Sequence, residues 1–200
     1  MLDLYKDTPA LEEVVNQTGY KTLQSLMFLY HLVKEMNPNF ILELGTGFGC
    51  SAIFMALALG KGQICSVDDY RGDASLNIRI PQGNLEKCNV AGKVILVEED
   101  ARHLWTAPYP ISLVFMDASH NKADLFSEYA AIEGRLFESH IIVIDDLFSA
   151  DVKEFPLELF KKDCYDICFM PKFHYGMAVL SPYKFQNEIL AAITKGAGDA

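Results

Sequence analysis

Phe40-Ile-Leu-Glu-Leu-Gly-Thr-Gly-Phe-Gly-Cys-Ser51 is the stretch that decides the fold. Phe40 to Leu44 is apolar except for Glu43, which suits a parallel strand buried on both faces. Gly45, Gly47 and Gly49 follow at alternate positions, and Ser51 to Leu59 continues as an apolar helix. A strand, a glycine turn and a helix N-terminus in that order make a nucleotide pocket. The glycines let the backbone reach φ > 0 and let a ligand approach it, and the helix end offers unpaired N–H groups. A plain glycine-rich turn is the alternative, but here the flanking elements stand in the right order.

Working outward, helical and extended patterns alternate. Helical stretches near Pro9–Val15 and Thr22–Met36 come first, and Pro38 stops the second. Strands are predicted near 40–44, 63–67, 94–98, 111–116 and 141–145, with helices near 51–59, 83–90 and 122–137. This alternation predicts an α/β fold with a mainly parallel sheet and helices on both faces. Tyr165–Met170 and Tyr175–Leu180 are joined only by Pro171–His174, too short for a crossover, so they predict a C-terminal antiparallel hairpin and seven strands in all. The least regular stretches, 69–82 and 147–158, each follow a strand's carboxyl end, where such sheets bind ligands. One domain is expected over residues 1–200: a helical cap at 1–38, a Rossmann-like core at 39–183 and a tail at 184–200.

Charge and composition narrow the partners. The net charge is −10 with no local Lys/Arg cluster, which argues against nucleic acid. No apolar run reaches membrane-spanning length and no signal peptide is visible, so neither a membrane nor export is expected. The five cysteines (Cys50, Cys65, Cys88, Cys164, Cys168) are odd in number and scattered; they read as reduced thiols of a cytoplasmic protein, without a zinc pattern. The expected partner is a small molecule, and a homo-oligomer stays open.

Glu43-Leu-Gly-Thr-Gly-Phe-Gly49, the strand order and the terminal hairpin together resemble the class I S-adenosylmethionine-dependent methyltransferases, over about residues 20–183. The segment from Leu42 to Ala52 is similar to the catechol O-methyltransferase group. Asp117-Ala-Ser-His120 with Asp145-Asp146 is similar to macrolide-sugar O-methyltransferases and cephalosporin-pathway relatives, in which a metal sits beside the cofactor. The chain departs at Glu138-Ser139, where many members carry a Gly-Gly turn. A nicotinamide-binding domain competes for the glycine loop, but it usually opens on its first strand and does not close with a hairpin.

The resemblance implies S-adenosylmethionine as cofactor. Gly45, Thr46, Gly47 and Gly49 would form its loop, with Gly45 and Gly47 along the methionine portion. Ser51, at a helix N-terminus, would donate to the methionine carboxylate. Glu43 would order the loop or hold the methionine ammonium. Asp68 ends the second strand, where a carboxylate accepts from both ribose hydroxyls; a loop or capping acid is the alternative. Asp69 should point to the opposite face. By resemblance, Asp100 accepts from the adenine amino group and Ala101 offers a backbone N–H; Asp100 could instead only cap the turn that follows.

Asp117, Asp145 and Asp146 end neighbouring parallel strands, so they should meet at one rim. Three carboxylates there would repel, and a hard divalent cation such as Mg2+ would relieve that. Alternatively, Asp117 holds the cofactor ammonium and the other two cap loops. His120 lies three residues beyond Asp117, the spacing of the sugar O-methyltransferases, and is the candidate general base; a helix cap is the plainer role. His31, His103, His140 and His174 lack such context, though His174 falls in the hairpin turn. Trp105, Phe126 and Tyr129 read as core. Tyr70-Arg-Gly-Asp73 and 147–158 are expected to shape the acceptor site. The function expected is metal-assisted O-methylation of a small-molecule hydroxyl. A non-catalytic cofactor-binding member and a nicotinamide-dependent oxidoreductase are the competing classes.

Overall fold

Strand β1 (Phe40–Leu44) is buried along its whole length and sits near the middle of a seven-stranded sheet. The computed structural model describes residues 2–18, 22–71, 74–103, 110–149, 151–162, 165–173 and 175–182. The other strands are β2 (Gln63–Asp68), β3 (Val94–Glu98), β4 (Ile111–Met116), β5 (Leu136–Ile144), β6 (Asp166–Met170) and β7 (Met177–Ser181). Their spatial order is β3-β2-β1-β4-β5-β7-β6. The first five run parallel, and β7 pairs antiparallel with both β5 and β6. The α/β architecture with a C-terminal hairpin is therefore as the sequence predicts.

Alternate residues of each strand feed two cores, as the two-residue period requires. Ile41, Leu113, Phe115 and Val143 face α2 (Ala10–Thr18), α3 (Leu23–Met36), α4 (Cys50–Ala58) and α5 (Arg79–Lys87). Leu42, Val114, Met116 and Ile144 face α6 (Lys122–Ile132) and α7 (Glu154–Lys161). Phe126 and Tyr129 belong to the second core, their rings 4.8 and 6.0 Å from that of Phe155. Cys50, Cys65 and Cys88 are buried and Cys168 is half-buried, all as free thiols. Among the described residues no helix is long and apolar enough to cross a membrane. Cys164, Trp105, His174 and the 184–200 tail lie outside the described residues.

The boundaries differ from the sequence expectation where a local signal misleads. Helix α5 starts at Arg79, not 83, and α7 occupies part of the stretch expected to be irregular. Both carry proline at the third helical position, Pro81 and Pro156. There the missing N–H has no intrahelical partner to lose, so the residue that reads as a breaker is tolerated. The two expected N-terminal helices are α2 and α3, and a further one, α1 (Leu2–Asp7), precedes them. Helix α6 stops at Ile132 and a 3-10 turn, Glu133–Arg135, replaces its expected end.

Strand β5 begins at Leu136, five residues before the expected start. Ile111 pairs with Leu136, yet Leu113 pairs with Ile141, so β5 bulges by three extra residues and exposes Phe137, Glu138 and Ser139. This is the segment in which Glu138-Ser139 stands in place of a Gly-Gly turn. His140 anchors it from inside. Its Nδ1 lies 2.5 Å from the Phe137 carbonyl and its Nε2 lies 2.8 Å from the Tyr165 hydroxyl, which is 3.1 Å from that of Tyr129. A neutral imidazole donating from Nδ1 and accepting at Nε2 satisfies both contacts.

Burial holds the His140 imidazole below its ordinary 6.5 and outweighs the opposing bond to Phe137. The folded state thus favours the neutral ring. This stabilisation is complete above the unfolded value of 6.5 and is lost as pH falls through it towards the folded value. His140→Gln should cost about 1–2 kcal/mol at pH 8 in urea unfolding, through lost hydrogen bonds. The gap should narrow by pH 5; a gap independent of pH would show that the ring's ionisation is not coupled to folding.

Candidate active site at the carboxyl edge of the sheet

The loop after β1 turns on glycine. Gly45 has φ +94°, and a Cβ on it would lie 2.5 Å from the Asp117 carbonyl oxygen, so nothing larger fits between the ends of β1 and β4. Its N–H donates to the Val67 carbonyl at 2.8 Å. The next two N–H groups, of Thr46 and Gly47, donate to Asp68 Oδ2 at 2.9 and 2.8 Å, and Tyr70 N–H donates to Oδ1 at 2.7 Å. Beneath the loop, Ser66 Oγ–H donates to Glu43 Oε2 and lies 2.7 Å from Thr46 Oγ1. From α5, Asn84 Nδ2 donates to the Phe48 carbonyl at 3.0 Å, and Pro81 packs against Gly49.

A cleft of about 740 Å³ opens over this edge. Of the residues singled out from sequence, Gly45, Thr46, Gly47, Ser51, Asp68, Asp100, Ala101, Asp117, His120 and Asp146 line it. Glu43, Gly49 and Asp145 are not among the described lining residues. Glu43 is fully buried, where its bond from Ser66 matches the loop-ordering alternative. Gly49 caps α4, and Asp145 is buried at 6% exposure. Gly72 and Asp73 lie outside the described residues.

Of the three acids expected to share a metal, Asp117 and Asp146 line the cleft, and the buried Asp145 is not among its described lining residues. Among the described residues no three His, Cys, Asp or Glu side chains converge in a way that could hold a metal ion. Asp145 and Asp146 are consecutive, and Asp146 has φ +53°. Its Oδ2 meets His120 Nδ1 at 3.2 Å instead, so the rim carries a histidine–carboxylate pair.

Two groups not singled out from the sequence stand at the other wall, Arg102 lining it and Glu128 buried behind Ser119. Arg102 donates from Nε and from its backbone N–H to Asp100 Oδ1, both at 2.9 Å, and from Nη2 to Oδ2 at 2.7 Å. Its Nη1 reaches Asp124 Oδ1 at 3.0 Å. This fork and the backbone bond hold Asp100 well below the usual carboxylate range. The turn geometry also realises the capping role considered for Asp100. Glu128 of α6 is 1% exposed, its Oε2 has no hydrogen-bond partner among the described residues, and the Ser119 hydroxyl bonds to the same carboxyl. Its signal was present in the sequence: Leu125, Glu128 and Ile132 share one helical face, so an acid stands in an apolar stripe.

These features define the fold of class I S-adenosylmethionine-dependent methyltransferases. Residues 42–147, more than half of the chain, match the family described as Methyltransferase domain, and the chain belongs to that family. Solved structures agree in fold. An O-methyltransferase from Bacillus cereus in complex with S-adenosylhomocysteine is similar at TM-score 0.70 and 19% identity, covering 86% of this chain and 90% of that one. The O-methyltransferase TomG of Streptomyces achromogenes, involved in tomaymycin synthesis and in complex with S-adenosylmethionine, gives 0.66 and 21%, over 89% and 88%. The S-adenosylhomocysteine-bound Podospora anserina methyltransferase PaMTH1 gives 0.68 and 19%, over 86% of each chain. No curated protein matches the sequence.

Burial pushes the Glu128 carboxyl from 4.5 up to about 7, against the opposing bond from Ser119. Its folded value exceeds its unfolded value, so the stability it allows is complete below pH 4.5 and is lost as pH rises through 7. Glu128→Gln should therefore be more stable than the parent at pH 8.5, by roughly 1–3 kcal/mol. The two should converge near pH 5. Parallel denaturation curves at both pH values would show that the carboxyl ionises as freely folded as unfolded.

Proposed function

We propose that the protein transfers a methyl group from S-adenosylmethionine to the hydroxyl of a small molecule, a sugar, phenol or other natural product. The observation that carries this is the His120–Asp146 pair, 3.2 Å apart, on the rim of a cleft floored by the glycine loop. Charge supports the donor. Six aspartates and one arginine stand among the described lining residues, a field that favours a ligand bearing a sulfonium and an ammonium. The donor, when bound, supplies an electrophilic methyl group.

The chain's own residues take the remaining tasks. Gly45, Thr46 and Gly47 form the floor, and Ser51 with the N-terminus of α4 suits the ligand's carboxylate. Asp68 already accepts three backbone N–H bonds, so of about four lone-pair positions it keeps about one, enough for one ribose hydroxyl. Asp100 and Ala101 suit the adenine edge, and Asp117 the ammonium. His120, with Nδ1 turned to Asp146, presents Nε2 as acceptor for the proton the attacking hydroxyl releases. The fold family implies a divalent cation, but Asp117, Asp145 and Asp146 as arranged do not fit one, and no step is assigned to it.

S-adenosylhomocysteine should raise the melting temperature by binding the folded state preferentially. Asp68→Asn should shrink that shift, because it weakens both the loop brace and the ribose acceptor. A shift with NAD and none with S-adenosylhomocysteine would sink the proposal.

His120→Ala should lower kcat by roughly 10²–10⁴ at saturating cofactor, with cofactor affinity unchanged. EDTA should leave the rate intact. A rate abolished by EDTA and restored by Mg2+ would reinstate the metal at Asp117, Asp145 and Asp146.

A further inference from the structure

Arg102 is the one arginine or lysine among the described lining residues, and it joins two walls of the cleft. On one side it forks onto Asp100, at the carboxyl end of β3. On the other it holds Asp124, in the first turn of α6 and 22 residues further along the chain. Asp124 is itself fixed: its N–H donates to Asn121 Oδ1 at 3.0 Å, and Asn121 Nδ2 donates to its Oδ2 at 2.7 Å. The guanidinium thus has a planar fork with both ends anchored.

Arg102 is half-exposed, so its ion pairs contribute little to stability. Their consequence is direction. Oδ1 of Asp100 takes two N–H groups from Arg102 and Oδ2 takes one. A carboxylate has about four acceptor positions, so about one remains, on Oδ2. That position accepts one N–H. It repels a carbonyl oxygen, which would bring acceptor against acceptor. The fork also keeps Asp100 ionised, so the carboxyl has no proton with which to greet such an oxygen.

We infer that Arg102 is a positioning residue that makes the cleft selective for a purine bearing an exocyclic amino group, by leaving Asp100 a single oriented acceptor. This rests on the proposed cofactor reading and adds to it the group that sets the choice of base. Asp100 alone would not suffice, because a carboxylate free to rotate or to take a proton accommodates either edge.

The test compares S-adenosylhomocysteine with S-inosylhomocysteine, which carries oxygen in place of the amino group, by calorimetry on the full chain. The parent should prefer the adenosyl ligand by on the order of tenfold or more, the weight of one hydrogen bond to a charged group. Arg102→Gln should narrow that ratio, chiefly by weakening the adenosyl ligand. Arg102→Lys and Asp124→Asn, which keep a cation or the fork on Asp100, should fall between, and they carry the test if Arg102→Gln does not fold. An unchanged ratio in these variants overturns the inference. So does an equal loss of both ligands, which would mark Arg102 as a general brace. A parent that binds neither ligand overturns the cofactor reading itself, an outcome distinct from a parent that binds both alike.

Discussion

The site depends on one carboxylate. Asp68 ends β2 and gathers the N–H groups of Thr46 and Gly47 from the loop after β1, and that of Tyr70 from its own loop. Without it, three backbone donors at the edge of the sheet would need other partners. With it, the loop folds back over its own sheet, and the ends of β1, β2 and β4 close up until Gly45 meets the Asp117 carbonyl. The parallel register does the rest. Leu44 lies beside Val67 on one flank and Met116 on the other, so the residues that follow each strand emerge on the same rim.

Such a rim collects negative charge, and the protein disposes of it differently at each position. Asp68 is neutralised by N–H dipoles, Asp100 and Asp124 by one shared guanidinium, and Asp146 faces an imidazole. Glu128, shut away from water behind Ser119, carries its proton up to about pH 7. The burial that raises its affinity for that proton also keeps a further negative charge from the wall that Arg102 holds. What remains is a cleft negative enough to favour a cationic donor over its neutral product, a difference that aids turnover as well as binding.

Much of this was legible in the sequence. Long apolar runs with turn signals located β1, β2, β3 and β4 within a residue; burial on both faces makes β1, β2 and β4 mostly apolar, and the edge strand β3 is apolar from Val94 to Val97 though partly exposed. The chain was opaque where polarity and proline carry two meanings. Pro81 and Pro156 look like breakers until the helix start is known, and Phe137-Glu138-Ser139 reads as a loop because its side chains bulge into solvent. The acids show a different limit. Ending neighbouring strands places Asp117, Asp145 and Asp146 on one edge, but Asp145 is buried and only Asp117 and Asp146 line the cleft. Strand alternation also misplaces Asp69: expected on the face opposite Asp68, it lines the same cleft, because β2 ends at Asp68 and the two-residue period ends with it. Arg102 left no signal, because its role is set by a partner 22 residues away.

The pairing of His120 with Asp146 bears on which hydroxyls the site can serve. An alcohol holds its proton far more tightly than a phenol does, whose value is about 10. A phenol therefore yields its proton to a general base more readily. A bound cation would close the gap for alcohols by acidifying the hydroxyl directly, but here the acid that would serve it is turned towards the histidine. A carboxylate on Nδ1 stabilises the imidazolium as it forms. Asp146 turns Oδ2 to the base. Within the proposed reaction, a phenol would ask less of this pair than a sugar alcohol would.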